Sequence, residues 1–272
     1  VIRRAGPTDL DFAVELLARD EVEPFLSKHR SNEREDVLAR IERSQAEPAS
    51  FGVFVIEVDG VRGGLMEFET FSERSRIANL GGLAMHPDFR GRGVARQAAQ
   101  AFQRHLLLDL GFHRLQLEVY GFNERGIAHA EQAGFVREGV KRKAYLRHGA
   151  WSDGILFGLV REDLGLAPGV DLLYEYVARH NQGVRTGDWD PLGECFAADA
   201  VLELDGTGVG PFAGRDEIVA AYRGRPPDDE VRLLDATGTT ATYAWLAAPD
   251  EPAGTMRLEP AAGLIASLTI TV

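Results

Sequence analysis

LGGLAMHPDFRGRGVA, residues 80–95, holds a strand, a breaker and a helix start in one run. The apolar segment 80–85 meets His86-Pro87, a pair that punctuates the chain. Beyond it, Val94, Ala98, Phe102, Leu106 and Leu110 recur at helical spacing, and Gly111 follows as a C-cap, so a helix is expected over 93–110. A strand, a glycine-punctuated turn and a helix N-terminus make an anion site. The first N–H groups of a helix have no intrahelical partner, and the helix dipole favours negative charge there. Gly91 and Gly93 let a phosphate approach the backbone, and Arg90, Arg92 and Arg96 add countercharge. The run implies a pyrophosphate-bearing ligand. Its spacing is not that of the nucleotide P-loop, nor that of a dinucleotide-binding turn with an acid about 20 residues on.

Working outward, residues 1–5 read as a short strand, and 8–18 and 33–46 as helices, with Asn32 and Glu35 as a cap signal. FGVFVIEV (51–58) turns at Asp59-Gly60 into VRGGLMEFETF (61–71), a hairpin signal. Strands follow at 77–86 and 114–120, a helix at 124–133, and two strands at about 135–147 and 151–162.

Four pieces, in order and spacing, resemble the GNAT superfamily of acyl-CoA-dependent N-acetyltransferases. They are LGGLAMHPDFRGRGVA (80–95), HRLQLEVYGFN (113–123), NERGIAHAEQAGF (123–135) and EGVKRKAYLRHGAWSDGILFGLVRED (138–163). The branch acting on ribosomal-protein N-termini, polyamines and antibiotics is the nearest in pattern. The resemblance implies acetyl-CoA as co-substrate and a mixed central sheet flanked by helices over 1–166. It implies that Leu83, Ala84 and Met85 pair with the pantetheine arm. The N–H of Met85 or its neighbour would face the thioester oxygen, and the turn Arg90, Gly91, Arg92, Gly93, Val94, Ala95 and Arg96 would hold the pyrophosphate. Asn123 matches the asparagine that bonds the pantetheine region, and it also reads as the N-cap of the next helix.

One departure matters. Relatives place a tyrosine, the acid that protonates the leaving thiolate, where this chain has Ala130. Tyr120 and Tyr145 are the phenols that would substitute, or else half-buried sheet residues. Glu67 and Glu69 alternate on the preceding strand. They read as a solvated sheet face, or as bases acting through water. Asp153 reads as a substrate-ammonium contact or as a hairpin-turn residue.

Charge divides the chain. Residues 1–168 carry 23 Lys+Arg and 25 Asp+Glu, a net of −2, whereas 169–272 carry 7 and 17, a net of −10; together they make the −12 of the whole. That acidic balance argues against nucleic acid as a partner. No apolar run reaches the ~18 residues of a membrane span and no signal peptide opens the chain, so no membrane partner and a cytoplasmic location are expected. A single cysteine, Cys195, permits no intrachain disulfide and reads as a small buried hydrophobe. The seven histidines show no ligand spacing, so no metal is expected.

The Gly/Pro segment 164–170 reads as a linker before a second unit, 167–272. A helix at 170–183, an acidic turn, the strand FAADAVLEL, the loop DGTGVGPFAGRDE, the short helix IVAAY and alternating strands to the terminus follow. This order resembles the SnoaL-like and ketosteroid-isomerase-like fold, which implies a smaller α+β domain with a cone-shaped curved sheet. Tyr176 and Asp205 fall where those isomerases carry an oxyanion-hole tyrosine and a proton-shuttling aspartate. Gly254 stands near the position of their second donor. The expected protein is therefore an α+β, two-domain N-acetyltransferase. It would move acetyl from acetyl-CoA to a small-molecule or peptide amine by direct attack, with a C-terminal ligand-binding or dimerisation module. Homodimerisation is what both families commonly imply. The alternatives are a non-catalytic acyl-CoA sensor and an isomerase or cyclase centred on the second unit.

Overall fold

The computed structural model describes residues 1–26 and 32–272. The chain forms two compact units, Val1–Leu107 with Phe112–Asp163, and Leu164–Val272 with Leu108–Gly111.

The first unit is a seven-stranded mixed sheet. Its strands are β1 (Ile2–Arg4), β2 (Phe51–Val58), β3 (Val61–Ser72), β4 (Ile77–Met85), β5 (Arg114–Tyr120), β6 (Val136–Arg147) and β7 (Ala150–Val160). They lie in the order β1-β2-β3-β4-β5-β7-β6, and only β4 and β5 run parallel. The β2–β3 hairpin turns at Asp59 and Gly60, both at positive φ (52° and 77°), a handedness that matches strand twist. The first six residues of β2 are all buried, as expected of a strand covered on both faces. On one face, α1 (Leu10–Leu17) and α2 (Arg34–Ala46) bury Leu10, Ala13, Leu16, Val37 and Ile41 against Val53, Val55 and Leu65. Elsewhere in the core, α3 (Val94–Arg104) inserts Phe102 against Phe54 and Phe68, at centroid distances of 5.0 and 6.0 Å. A buried ring of this size contributes roughly 1.5–3 kcal/mol. The helix expected to reach residue 110 leaves α geometry after Arg104 and continues as a π-helical turn, His105–Asp109. Then α4 (Glu124–Gln132) precedes the β6–β7 hairpin.

The second unit comprises α5 (Pro168–Thr186), α6 (Asp190–Gly193), β8 (Phe196–Asp205), β9 (Val209–Ala213), α7 (Arg215–Gly224), β10 (Val231–Thr237), β11 (Thr240–Trp245), β12 (Gly254–Ala261) and β13 (Leu264–Thr271). The expected cone-shaped curved sheet does not form. Six strands in the order β10-β11-β12-β13-β8-β9 make an open sheet that is not curled, with β10 and β9 as its edges. The physical reason is coverage: α5 packs on β10, β11 and β12 while α7 packs on β8 and β9. The apolar side chains are thus buried against helices rather than against a sheet folded onto itself. Two boundaries also move. Helix α5 begins inside the expected linker, with Pro168 in its first turn, where a missing N–H costs nothing. Part of the expected loop 205–217 pairs with β8 as β9.

Candidate functional site

In the first unit, β4 pairs with β5 only from Ile77↔Arg114 to Leu80↔Leu117. Beyond Leu117, β5 stays with β7 as far as Tyr120↔Gly154, whereas β4 stays with β3. A gap between parallel strands opens there. A bulge shapes it: Leu65 faces Ala84 but Glu67 faces Gly81, so β4 carries one extra residue. Gly82 sits in that bulge at φ +63°, a backbone that favours glycine, and a Cβ there would crowd the Glu67 carboxyl carbon at 3.1 Å. His86 donates its N–H to Gly63 O at 2.9 Å. By strand alternation, the backbone groups of Met85 and Leu83 therefore face away from β3, towards the gap.

The turn after β4 leads into α3. Gly91 and Gly93 are both at φ +74°, and a Cβ at either would meet nothing within 4 Å. Gly93 is the N-cap of α3 with no side-chain cap, and the first intrahelical bond is Gln97 N–H to Gly93 O at 3.1 Å. The N–H groups of Val94, Ala95 and Arg96 precede that bond. Arg92 and Arg96 are exposed. Arg90 does different work from its neighbours: its Nε donates to Met85 O at 3.0 Å and its Nη2 to Glu21 O at 3.4 Å. Burial, reinforced by Arg125, lowers its pKa. It ties down the strand end rather than lending its charge to the turn.

Ala84 is buried and Met85 nearly so, while Leu83 is 38% exposed on the bulge. Glu67 is not on a solvated face. It is 2% exposed, packs beneath Gly82, and pairs with Arg40 Nη1 at 3.5 Å, because the bulge and α2 cover it. Glu69 is at the surface, bonded by Arg43 at 2.8 Å. Tyr120 closes β5, stacked on Phe122 (5.4 Å, 12°) and edge-on to Tyr145 (5.2 Å). Burial and the neighbouring Glu118 carboxylate push the Tyr145 phenol up to about 12. Asn123 caps α4, its Oδ1 accepting from Gly126 N–H at 3.0 Å; its Nδ2 has no partner among the described residues. Ala130 is 1% exposed. Asp153 serves the hairpin, accepting Lys143 N–H at 2.7 Å. Sequence reading missed Arg147, on β6. It is 6% exposed, stands over the Tyr120 ring at 5.1 Å and donates to Pro24 O (2.9 Å) and Leu26 O (3.2 Å). No local pattern marks it, since those carbonyls lie over 120 positions earlier.

The second unit holds a half-open, mostly apolar cavity of about 550 Å³. Tyr176 lines it, and its hydroxyl oxygen is 2.6 Å from that of Tyr222. Burial raises the Tyr176 phenol well above its usual range and Tyr222 to about 12. Asp205, expected beside Tyr176, does not line the cavity. It is exposed at the end of β8, in register with Thr271. A Cβ at Gly254 would lie 2.0 Å from Thr271 O and 2.9 Å from the Tyr243 ring, so no acidic side chain fits there. Strand pairing thus keeps Asp205 out of the cavity and leaves no room for an acid at position 254. His180 and Tyr243, which sequence reading passed over, line it instead. Cys195 is 4% exposed in the apolar core.

Residues 1–136 match the family model described as an acetyltransferase (GNAT) domain, and residues 173–241 match a SnoaL-like domain. Over 126 residues the chain is 33% identical to the SPbeta prophage-derived uncharacterized N-acetyltransferase YokL of Bacillus subtilis, covering 46% of this chain and 70% of that one. It is 28% identical over 102 residues to spermidine N(1)-acetyltransferase of Escherichia coli, covering 38% of this chain and 54% of the relative. Among solved structures, spermidine N-acetyltransferase from Vibrio cholerae with CoA and spermine superposes with a TM-score of 0.55 at 18% identity, over 61% of this chain and 98% of that chain. Ribosomal-protein-S5-alanine acetyltransferase from Vibrio fischeri gives 0.52 at 20% identity, over 60% and 93%. These two likenesses concern the fold. Among the described residues, no helix is long and apolar enough to cross a membrane. With its gapped parallel strand pair and its family match over half its length, the chain belongs to the GNAT acetyltransferase family and carries a separate SnoaL-like domain after the acetyltransferase domain.

Proposed function

We propose that the chain moves the acetyl group of acetyl-CoA to a primary amine of a small molecule or peptide, by direct attack on the thioester. The observation that carries this reading is the gap between β4 and β5, which runs from the unpaired edge of residues 81–85 to the uncapped N-terminus of α3. The pantetheine arm lies along Leu83, Ala84 and Met85 as an added strand. The pyrophosphate sits on the N–H groups of residues 91–96, with Arg92 and Arg96 as countercharge and Arg90 holding the strand end. Asn123 Nδ2 donates to the pantetheine amide while its Oδ1 keeps the helix cap.

The neutral amine attacks the thioester carbon, and the Met85 N–H donates to the developing oxyanion. One such donor is worth roughly 3 kcal/mol of barrier. Collapse breaks the carbon–sulfur bond. The thiolate takes a proton from Tyr120, the new amide nitrogen releases one to water, and water returns one to the Tyr120 phenolate. A thiol pKa near ~8.5 makes the leaving group tolerable, so the phenol assists modestly. Glu67 holds the bulge that aims Met85 into the gap. The mechanism uses no nucleophilic Cys or Ser and forms no acetyl-enzyme. The relatives direct the acceptor panel: spermidine on one side and peptides beginning with alanine on the other. The SnoaL-like domain acts as a ligand-binding module without chemistry of its own. Thiol release from acetyl-CoA with each amine tests the proposal. Turnover with at least one amine is expected, and acetyl-CoA binding without thiol release from any would make the protein a sensor.

A further inference from the structure

The polar groups of the second-unit cavity form an inventory that names a ligand. Tyr176 and Tyr222 share one hydrogen bond, so one of their two hydroxyl protons has no acceptor among the described residues. Tyr243 also lines the cavity, and its hydroxyl has no hydrogen-bond partner among those residues. The tautomer of His180 is set by its neighbour. Asn181 Nδ2 donates to Val231 O at 2.7 Å and Val231 N–H donates to Asn181 Oδ1 at 2.8 Å, which fixes the amide's orientation. His180 Nδ1 faces that oxygen at 3.1 Å and so carries the proton, while burial keeps the ring neutral. Nε2 is left as an acceptor.

Two unspent donors and one unspent acceptor therefore belong to residues that line a mostly apolar space. A hydroxyl complements this set, with two lone pairs to accept and one proton to give. Buried polar groups left unmatched cost roughly 1–3 kcal/mol each, so a matching group gains selectively. At the exposed rim, Arg225 is the one charged side chain among the lining residues and has no partner among the described residues.

We propose that this cavity binds an apolar carboxylic acid bearing a hydroxyl, with the hydroxyl among Tyr176, Tyr222, Tyr243 and His180 and the carboxylate on Arg225. The inference rests on the reading of this domain as a ligand-binding module. A matched set of probes tests it on the full chain by calorimetry: ω-hydroxydodecanoate, dodecanoate and dodecanol. The hydroxy acid is expected to bind about tenfold more tightly than dodecanoate, the effect of one good buried hydrogen bond. Tyr243→Phe should shrink that difference. Arg225→Gln should weaken both acids severalfold and leave dodecanol unchanged. Dodecanol binding as well as the acids, or acids indifferent to Arg225→Gln, would overturn the ligand class while keeping the binding module. If none of the three binds, the binding-module reading falls as well.

Discussion

Replacing Gly93 separates the electrostatics of the turn from its backbone. Gly93 is at φ +74°, exposed, and a Cβ there meets nothing within 4 Å. A side chain is therefore admitted sterically, and the left-handed backbone costs an ordinary residue about 1–2 kcal/mol of stability, less for Asn or Asp. Gly93→Asn adds bulk without charge. Gly93→Asp adds a carboxylate beside the site assigned to the pyrophosphate. For like charges about 5 Å apart at an effective dielectric near 20, the repulsion is about 3 kcal/mol. Salt screening removes part of this, leaving at least ~1.4 kcal/mol, or a tenfold loss of affinity. Calorimetric titration with acetyl-CoA at low and high salt is the assay. Gly93→Asn should bind within about threefold of the parent, and Gly93→Asp at least tenfold more weakly, with the gap narrowing as salt rises. A folded Gly93→Asp that binds like the parent, or a loss equal in both variants at every ionic strength, would refute the assignment of the anion to this turn.

The buried hydroxyl pair should behave non-additively: Tyr176→Phe or Tyr222→Phe alone strands a buried hydroxyl and costs about 1–3 kcal/mol, while the double variant costs less than their sum. Urea unfolding of the four proteins measures the coupling, and strict additivity would disprove the bond's role. Ala130→Tyr should not supply the missing acid, because a ring at a 1% exposed position overpacks the core by about 1–3 kcal/mol or more; a stable variant with faster turnover would contradict this. Asp9 is fully buried between Arg3 and Arg62, at 2.7 Å from each, and Arg3 above all holds its carboxyl far below the usual range. Its folded pKa is depressed, so its stabilisation is complete above the unfolded value of about 4 and is lost as the pH falls through that value towards the folded one. Asp9→Asn should cost about 2–3 kcal/mol at neutral pH, below the figure for a fully buried pair because both arginines are partly exposed, and the difference from the parent should fade below about pH 4.

Much of the acetyltransferase unit is legible locally. The glycine–arginine turn, the α3 N-terminus, the Asp59-Gly60 hairpin and the Asn123 cap each depend on residues within a few positions of one another, where φ preferences and capping bonds act. Tertiary packing decided what local windows do not contain. The alternation of Glu67 and Glu69 looks like a wet face in sequence, yet a bulge across β4 buries one and leaves the other outside. Asp205 follows the cavity-lining Leu204 by one β8 residue and Leu202 by three, so strand alternation alone puts it on the opposite side. Tyr176 meets Tyr222 across 46 positions, and Arg147 meets Pro24 across 123. The same holds for the second sheet, whose strands alternate as a curled sheet's would but stay open because α5 and α7 cover them. By itself the sequence determined the turns, caps and amphipathic periods that identify the family, since these are set by each residue's own backbone and its near neighbours. Which polar side chains are buried, which of them meet, and whether a sheet closes were decided only in the tertiary structure, because those outcomes depend on contacts between segments that no local pattern relates.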